Sequence, residues 1–356
     1  MTSRSATIDL DDVEGLLAAD RDGLLRAAAM AGAQARAVAA AVEEGALDSV
    51  RSDLPPRILI WVAASGPALA AGTLLASALG GSTSVPIVVA PEVPPWIGAL
   101  DVLVVAGADP GDQALVAAAA TGVRRGARVV VAAPLEGPLR DVTAGRAALL
   151  PPRLPVPEEF ALCRYLATGV AILAVLDAGM RVDIAALADE LDAEALRNSA
   201  ARELFTNPAK TIADQLAGRD VVLAGDGAAA LALARHAAAT LLRIGQQPVA
   251  AAGLNEALIA AAEMNSGPAD YEAALFHDEE IDGPLPARLR AVVLTSDEQR
   301  PVVASRTEGM ADLVVLSADD VPDLTTQRVG GRPEQQLAIL AVRLEMTAVY
   351  LRLTRG

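Results

Sequence analysis

A strand–turn–helix–strand pattern between residues 101 and 133 constrains the fold most. Two runs built almost entirely of Val, Leu and Ala, Asp101–Ala106 and Ala127–Ala133, flank a segment with helical spacing, Gln113–Arg125. Continuous apolar runs of this length are typical of strands that are buried on both faces of a parallel sheet. The pattern therefore predicts a βαβ unit. Ligands of such sheets bind where the carboxyl end of a strand leads into a helix, so the turn Gly107–Asp112 is a candidate site.

The same alternation of strands and helices recurs on both sides of this unit. Further strands are predicted at 57–63, 86–90, 220–224, 248–251, 291–294 and 312–316, and further helices at 11–28, 31–44, 68–79, 158–178, 184–196, 202–217, 228–243 and 333–353. Either Asp11 or Asp12 caps the first helix. Helix 158–178 is apolar enough to be buried between the halves. The pattern predicts an α/β protein of two α/β/α domains with parallel sheets, residues 1–182 and 183–356.

Composition and charge exclude several classes of function. The chain is 53% hydrophobic but only 2% aromatic, so its core must be built from Ala, Val and Leu. The net charge of −16 and the lack of any basic run predict no binding to nucleic acid or to anionic membranes. No apolar run is long enough to span a bilayer. A single cysteine favours a reducing, cytoplasmic setting.

Motifs for metals and cofactors are also missing from the sequence. Two histidines and one cysteine without paired spacing predict no metal site. Gly225-Asp226-Gly227 follows a predicted strand but completes only part of a dinucleotide-binding fingerprint, so no cofactor is predicted. His236 lies in the string Ala-Arg-His-Ala of a predicted helix, with nothing nearby to recruit it to a site, and we expect it on the helix surface.

Five strings resemble those of a known family: Glu92–Trp96, Thr121–Val131, Asn207–Lys210, Leu216–Val222 and Phe276–Gly283. They are similar to strings in the SIS-domain sugar isomerases, specifically the bifunctional phosphoglucose/phosphomannose isomerase family and its actinobacterial TobH-like branch. The resemblance implies two flavodoxin-like SIS domains, a homodimer, and a sugar phosphate or related carbohydrate derivative as ligand.

The resemblance also implies a catalytic pair. His277 matches the family's histidine, which opens the sugar ring, although Phe276 and Asp278 replace the asparagines beside it. Glu263 matches the glutamate that moves the proton between neighbouring carbons, if the spacing is two residues shorter. The alternative for His277 is a solvated loop residue, and the alternative for Glu263 is an exposed helical carboxylate.

The phosphate-binding positions of the family are altered in this chain. A Ser/Thr-rich turn is expected at Gly107–Asp112, but that turn has no hydroxyl group and carries Asp109 and Asp112 instead. A helix N-terminus stabilises an anion by about 0.3–1 kcal/mol, whereas two nearby carboxylates oppose a phosphate by at least as much. A structural alternative makes Asp109 an N-cap and Pro110 the first helical residue.

The other two phosphate contacts differ as well. Ser65 and Gly66 are retained in the first turn, where Ser65 either contacts a ligand or caps the following helix. Glu158 and Glu159 stand where the family places an arginine at the start of the interdomain helix. Two functions are therefore predicted as alternatives. The first is an SIS-domain phosphosugar isomerase-like protein that acts on glucose 6-phosphate or mannose 6-phosphate. The second is an inactive SIS-fold protein that binds a carbohydrate derivative or acts as a scaffold.

Overall fold

Two parallel β-sheets form the framework of the molecule. The computed structural model describes residues 8–265, 288–310, 312–320 and 331–355. Sheet A has five strands in the order β2-β1-β3-β4-β5, and sheet B has four in the order β7-β6-β8-β9. Both orders place the first strand of the sheet beside the second and third, as in flavodoxin-like folds. The strands of sheet A are β1 Ile58–Val62, β2 Ile87–Ala90, β3 Asp101–Ala106, β4 Arg128–Ala132 and β5 Ala147–Leu149.

Sheet B repeats this arrangement with one strand fewer among the described residues. Its strands are β6 Asp220–Gly225, β7 Ala250–Gly253, β8 Leu289–Leu294 and β9 Leu313–Leu316. All described strand pairs are parallel, which requires crossover connections between them.

Helices connect and cover the strands. In the first half they are α1 Val13–Ala19, α2 Leu24–Ala28, α3 Ala31–Glu43, α4 Gly66–Leu79, α5 Gln113–Arg125, α6 Gly137–Thr143 and α7 Leu162–Leu176. In the second half they are α8 Ile184–Arg197, α9 Pro208–Leu216, α10 Ala228–Arg243, α11 Leu254–Met264, α12 Arg300–Thr307 and α13 Pro333–Leu353. Short 3-10 turns occupy Asp48–Val50, Glu158–Phe160 and Leu204–Thr206.

The strands of sheet A contribute side chains to two different cores. Leu59 and Trp61 of β1 point to an inner core shared with sheet B, and Ile60 and Val62 point to an outer core under α5 and α6. This division follows from the period-two alternation of a strand. The inner core is continuous from sheet A through α4, α7, α10 and α13 to sheet B.

The helices α7 and α13 lie inside this inner layer. Every residue from Leu162 to Leu173 is buried, and so is almost all of α13. Helix α13 therefore lacks the one-sided apolar stripe of a surface helix. The buried charged residues of α13, namely Glu334, Arg343 and Glu345, must find partners there.

The structure confirms the predicted α/β class, and several bounds agree residue for residue, including β3, α5 and α13. The helix predicted from residue 158 begins at Leu162 after a 3-10 turn, and the helix predicted from residue 202 begins at Pro208, where the Asn207 side chain caps it. No bounds were predicted for helices α6, α11 and α12 or for strand β5. The division of the chain into domains at residue 182 stays a prediction.

Candidate functional site

The turns after β1 and β3 lie side by side at the carboxyl edge of sheet A. The two strands are adjacent and parallel, and Val62 is in register with Val105. Ser65 and Gly66 therefore leave the sheet beside Gly107, the first residue of the other turn. This is the edge at which open parallel sheets bind ligands.

The turn after β3 is closed by its own carboxylates. Asp112 is the N-cap of α5, and its Oδ1 accepts hydrogen bonds from Ala114 N at 2.8 Å and Leu115 N at 3.3 Å. Asp109 Oδ1 accepts a hydrogen bond from Gly111 N at 2.7 Å. The prediction that Asp109 caps the helix and Pro110 opens it is wrong, because the chain makes one more turn and Asp112 reaches the free N–H groups.

This capping decides what the turn can bind. The backbone N–H groups at a helix N-terminus are the donors that hold phosphate in many proteins, and here the Asp112 carboxylate already accepts two of them. A phosphate that displaced the carboxylate would still lie close to it, where two like charges repel by about 4 kcal/mol at 4 Å and an effective dielectric of 20. The dipole contributes about 0.3–1 kcal/mol, so repulsion prevails.

The turn after β1 differs, because its helix N-terminus carries no side-chain cap. Ser65 occupies the N-cap position of α4 in an extended conformation, and its exposed hydroxyl makes no capping hydrogen bond. Gly66 follows with φ = 66° and open space where a side chain would project. A positive φ of this kind favours glycine. Pro67 has no N–H and Ala68 is buried, so the exposed Gly66 supplies the N–H group of this turn that an external acceptor can reach.

The segment before α7 presents two carboxylates of different character. Glu158 Oε1 accepts a hydrogen bond from the Tyr165 hydroxyl at 2.8 Å, and Arg164 Nη2 lies 3.8 Å from Glu158 Oε2. Burial raises the pKa of Glu158 above its ordinary value, although the tyrosine bond and Arg164 oppose the shift. Glu159 forms an ion pair with Arg243 of α10.

His236 is buried, so the prediction that it lies on the helix surface is wrong. Its residue surface is 6% exposed, and its Nε2 lies 3.0 Å from Oε1 of Glu345, a buried carboxylate on α13. Burial raises the pKa of Glu345, and the bond to His236 opposes the shift. The run of small residues around His236 could have indicated its burial from the sequence, because a helix with alanines on every side can pack closely on every side.

The proposed catalytic pair is only partly within the described residues. Glu263 is exposed near the end of α11. Asn265 follows it, and its side-chain amide both donates to Leu289 O at 3.0 Å and accepts from Leu289 N at 2.9 Å, which fixes the end of this helix against β8. His277 lies outside the described residues. The structure brings Ser65, Gly66 and Gly107 to one sheet edge and leaves the pairing of Glu263 with His277 a prediction.

Comparisons with known proteins assign the fold to a class. Residues 205–356 match the family model of the bacterial phospho-glucose isomerase C-terminal SIS domain. A glucose-6-phosphate isomerase like protein from Thermus thermophilus is 20% identical over 98% of this chain and 94% of its own, with a TM-score of 0.52. Tagatose-6-phosphate ketose/aldose isomerase from Escherichia coli is 13% identical over 99% and 96%, with a TM-score of 0.61.

A third similar structure is the C-terminal domain of glucosamine-fructose-6-phosphate aminotransferase from Francisella tularensis, 11% identical over 95% of this chain and 98% of that one, with a TM-score of 0.58. No curated protein matches the chain significantly. The chain thus has the two-domain SIS fold that phosphosugar isomerases share, and its C-terminal part matches the isomerase type of SIS domain. These likenesses establish the fold alone.

Two absences hold for the described part of the chain. There, no three His, Cys, Asp or Glu side chains are grouped so that they could hold a metal ion. No helix in that part has both the length and the apolar character needed to cross a membrane.

Proposed function

We propose that this chain is an SIS-domain phosphosugar isomerase-like protein with a degenerate phosphate site, which does not turn over glucose 6-phosphate or mannose 6-phosphate. The supporting observation is the Asp112 carboxylate, which accepts the hydrogen bonds of Ala114 N and Leu115 N. Isomerisation of a phosphosugar needs a phosphate cradle as well as an acid and a base. The fold then serves to bind another carbohydrate derivative or to act as a scaffold.

Calorimetric titration of glucose 6-phosphate tests this proposal. Wild type gives no saturable heat, whereas Asp112→Ser, which keeps a good N-cap residue and removes the charge, gains affinity. Asp141→Ser removes one charge from the exposed face of α6 and is the matched control. Micromolar binding by wild type, or an equal gain in both variants, contradicts the proposal.

The second candidate is an active isomerase, and the match of residues 205–356 favours it because that range contains both Glu263 and His277. In that case His277 opens the ring and Glu263 moves the proton. A carbohydrate derivative as ligand, a homodimer and membership of the TobH-like branch all stay proposals. Analytical ultracentrifugation tests the dimer, which requires twice the chain mass at micromolar concentration.

A further inference from the structure

A cleft between α4 and α10 lies beside the open turn after β1. Its volume is about 280 Å³, close to the lower end of the range of about 300–1,000 Å³ for small-molecule sites. Its walls are largely apolar and include Pro67, Leu69 and Ala70 from α4. Four of the six polar side chains that line it lie on α10, and Gly66 of the turn also lines it; the polar side chains are Thr73, Glu159, Arg235, His236, Thr240 and Arg243.

The His236 imidazole is held firmly and presents one free nitrogen. Its Nε2 is engaged with Glu345 Oε1 at 3.0 Å, and the two side chains are only 4% and 1% exposed. Within the described residues Nδ1 has no hydrogen-bond partner, and His236 lines the cleft. Nδ1 is not among the fully buried side-chain atoms that lack a partner, so it keeps contact with solvent and can exchange a hydrogen bond with a ligand in the cleft. The other Glu345 oxygen, Oε2, is buried and also lacks a partner in the described residues.

The cleft is lined by two arginines and one glutamate, a net formal charge of +1, although the chain carries a net charge of −16. Arg243 is paired with Glu159, whereas Arg235 is exposed and forms no ion pair with any described residue. The uncapped N-terminus of α4, at Ser65 and Gly66, adds its partial positive charge. Arg235 therefore leaves the described lining of the cleft with one positive charge that no described ion pair compensates.

We propose that the α4–α10 cleft binds a small organic carboxylate with a compact apolar body. Arg235 binds the carboxylate, and His236 exchanges a hydrogen bond with the ligand through Nδ1. A guanidinium fits the two oxygens of a carboxylate in a bidentate pair. The apolar walls suit a hydrocarbon body and leave the hydroxyl groups of a sugar unpaired. Glu345 positions the imidazole and does not itself contact the ligand. This inference goes beyond the proposed function and does not depend on the turn after β3.

The chain's two histidines make nuclear magnetic resonance a direct readout, because only two imidazole signals need assignment. Pyruvate, isobutyrate, inorganic phosphate and glucose 6-phosphate are titrated separately into the full chain at about 10 mM, where a millimolar ligand occupies most sites. A carboxylate shifts the His236 signal, which the His277→Asn variant identifies by elimination. Arg235→Gln, a change at an exposed position that leaves folding intact, weakens binding at least about 10-fold.

Two variants serve as controls. Arg124→Gln removes an exposed arginine of α5 away from the cleft, and this variant binds the carboxylates as wild type does. Asp112→Ser changes the turn after β3 and leaves carboxylate binding unchanged, which separates this inference from the proposed function. If no carboxylate moves the His236 signal, if phosphate binds more tightly than both carboxylates, or if Arg235→Gln binds as wild type does, the proposal is overturned.

Discussion

Replacement of Arg343 by methionine should destabilise the protein strongly. Arg343 and Glu194 are fully buried, and Arg343 Nε donates to Glu194 Oε1 at 2.7 Å while Nη2 lies 3.3 Å from Oε2. The guanidinium also donates to Ser317 O at 2.9 Å and to Ala318 O at 3.0 Å, so it joins α8 and α13 to the chain after β9. Removal of one partner of a buried pair typically costs about 3–5 kcal/mol.

The lost energy comes from the groups left behind. Without Arg343, the Glu194 carboxylate keeps, among the described residues, Asn198 Nδ2 at 2.7 Å and Arg197 Nη1 at 3.1 Å, and the carbonyl groups after β9 lose the guanidinium as a donor. A buried charge with fewer partners bears most of its desolvation cost. The double variant Glu194→Met/Arg343→Met removes both charges and should recover most of the loss.

Equilibrium urea unfolding measures these differences through the free energy of unfolding. The matched control is Arg36→Met. Arg36 also pairs with α8, at 2.8 Å from Asp189 and 2.5 Å from Asp192, but its side chain is 46% exposed, so the loss should stay below about 1 kcal/mol. Equal losses in Arg36→Met and Arg343→Met, or a double variant no more stable than Arg343→Met, refute the reasoning.

Three further predictions concern the same framework. Burial disfavours the ionised form of Glu194, but Arg343 outweighs burial and lowers the pKa of Glu194. The pair therefore stabilises the fold above about pH 4.3, and this stabilisation is lost as the pH falls through the lowered pKa. Urea unfolding at pH 7 and pH 3.5 should show that the difference in unfolding free energy between wild type and Arg343→Met is smaller at pH 3.5. Asp112→Ala should lower the unfolding free energy by about 1 kcal/mol, because the N-cap of α5 is lost. Asp109→Ala loses one exposed hydrogen bond within the turn and should lower the unfolding free energy less. A larger loss in Asp109→Ala than in Asp112→Ala contradicts the assignment of the cap. Gly72→Ala should cost about 1–3 kcal/mol, because its new Cβ would lie 2.4 Å from Cδ1 of the buried Trp61, and an unchanged melting temperature would contradict this packing.

The long regular elements could be predicted from the sequence because their patterns are local. Strand β3 and helix α5 are bounded by turn residues and differ sharply in periodicity, so their limits agree with prediction. Strand β5 has three residues, Ala147–Leu149, and α6 has seven, and segments this short carry too few residues to establish a period. The N-cap of α5 was misplaced because Asp109 and Asp112 are both favourable cap residues, and only the path of the chain decides between them.

The polar groups of the core could not be predicted, because they depend on contacts distant in sequence. Arg343 and Glu345 lie in a helix that is buried on all faces, and periodicity in such a helix does not mark which positions pair. His236 and Glu345 are 109 residues apart, and only the packing of α10 on α13 brings them to 3.0 Å. The altered turn at Asp109 and Asp112 was evident from residue types alone, since its charge does not depend on tertiary contacts.

Turnover of glucose 6-phosphate and mannose 6-phosphate by the purified full chain tests the central claim most directly. Interconversion of each substrate with fructose 6-phosphate is measured for wild type and for His277→Ala in parallel. The degenerate phosphate site predicts that wild type shows no turnover above the His277→Ala variant with either substrate. Turnover that depends on His277 would contradict this account, because it would show that a phosphosugar is bound and isomerised despite the carboxylate cap at Asp112.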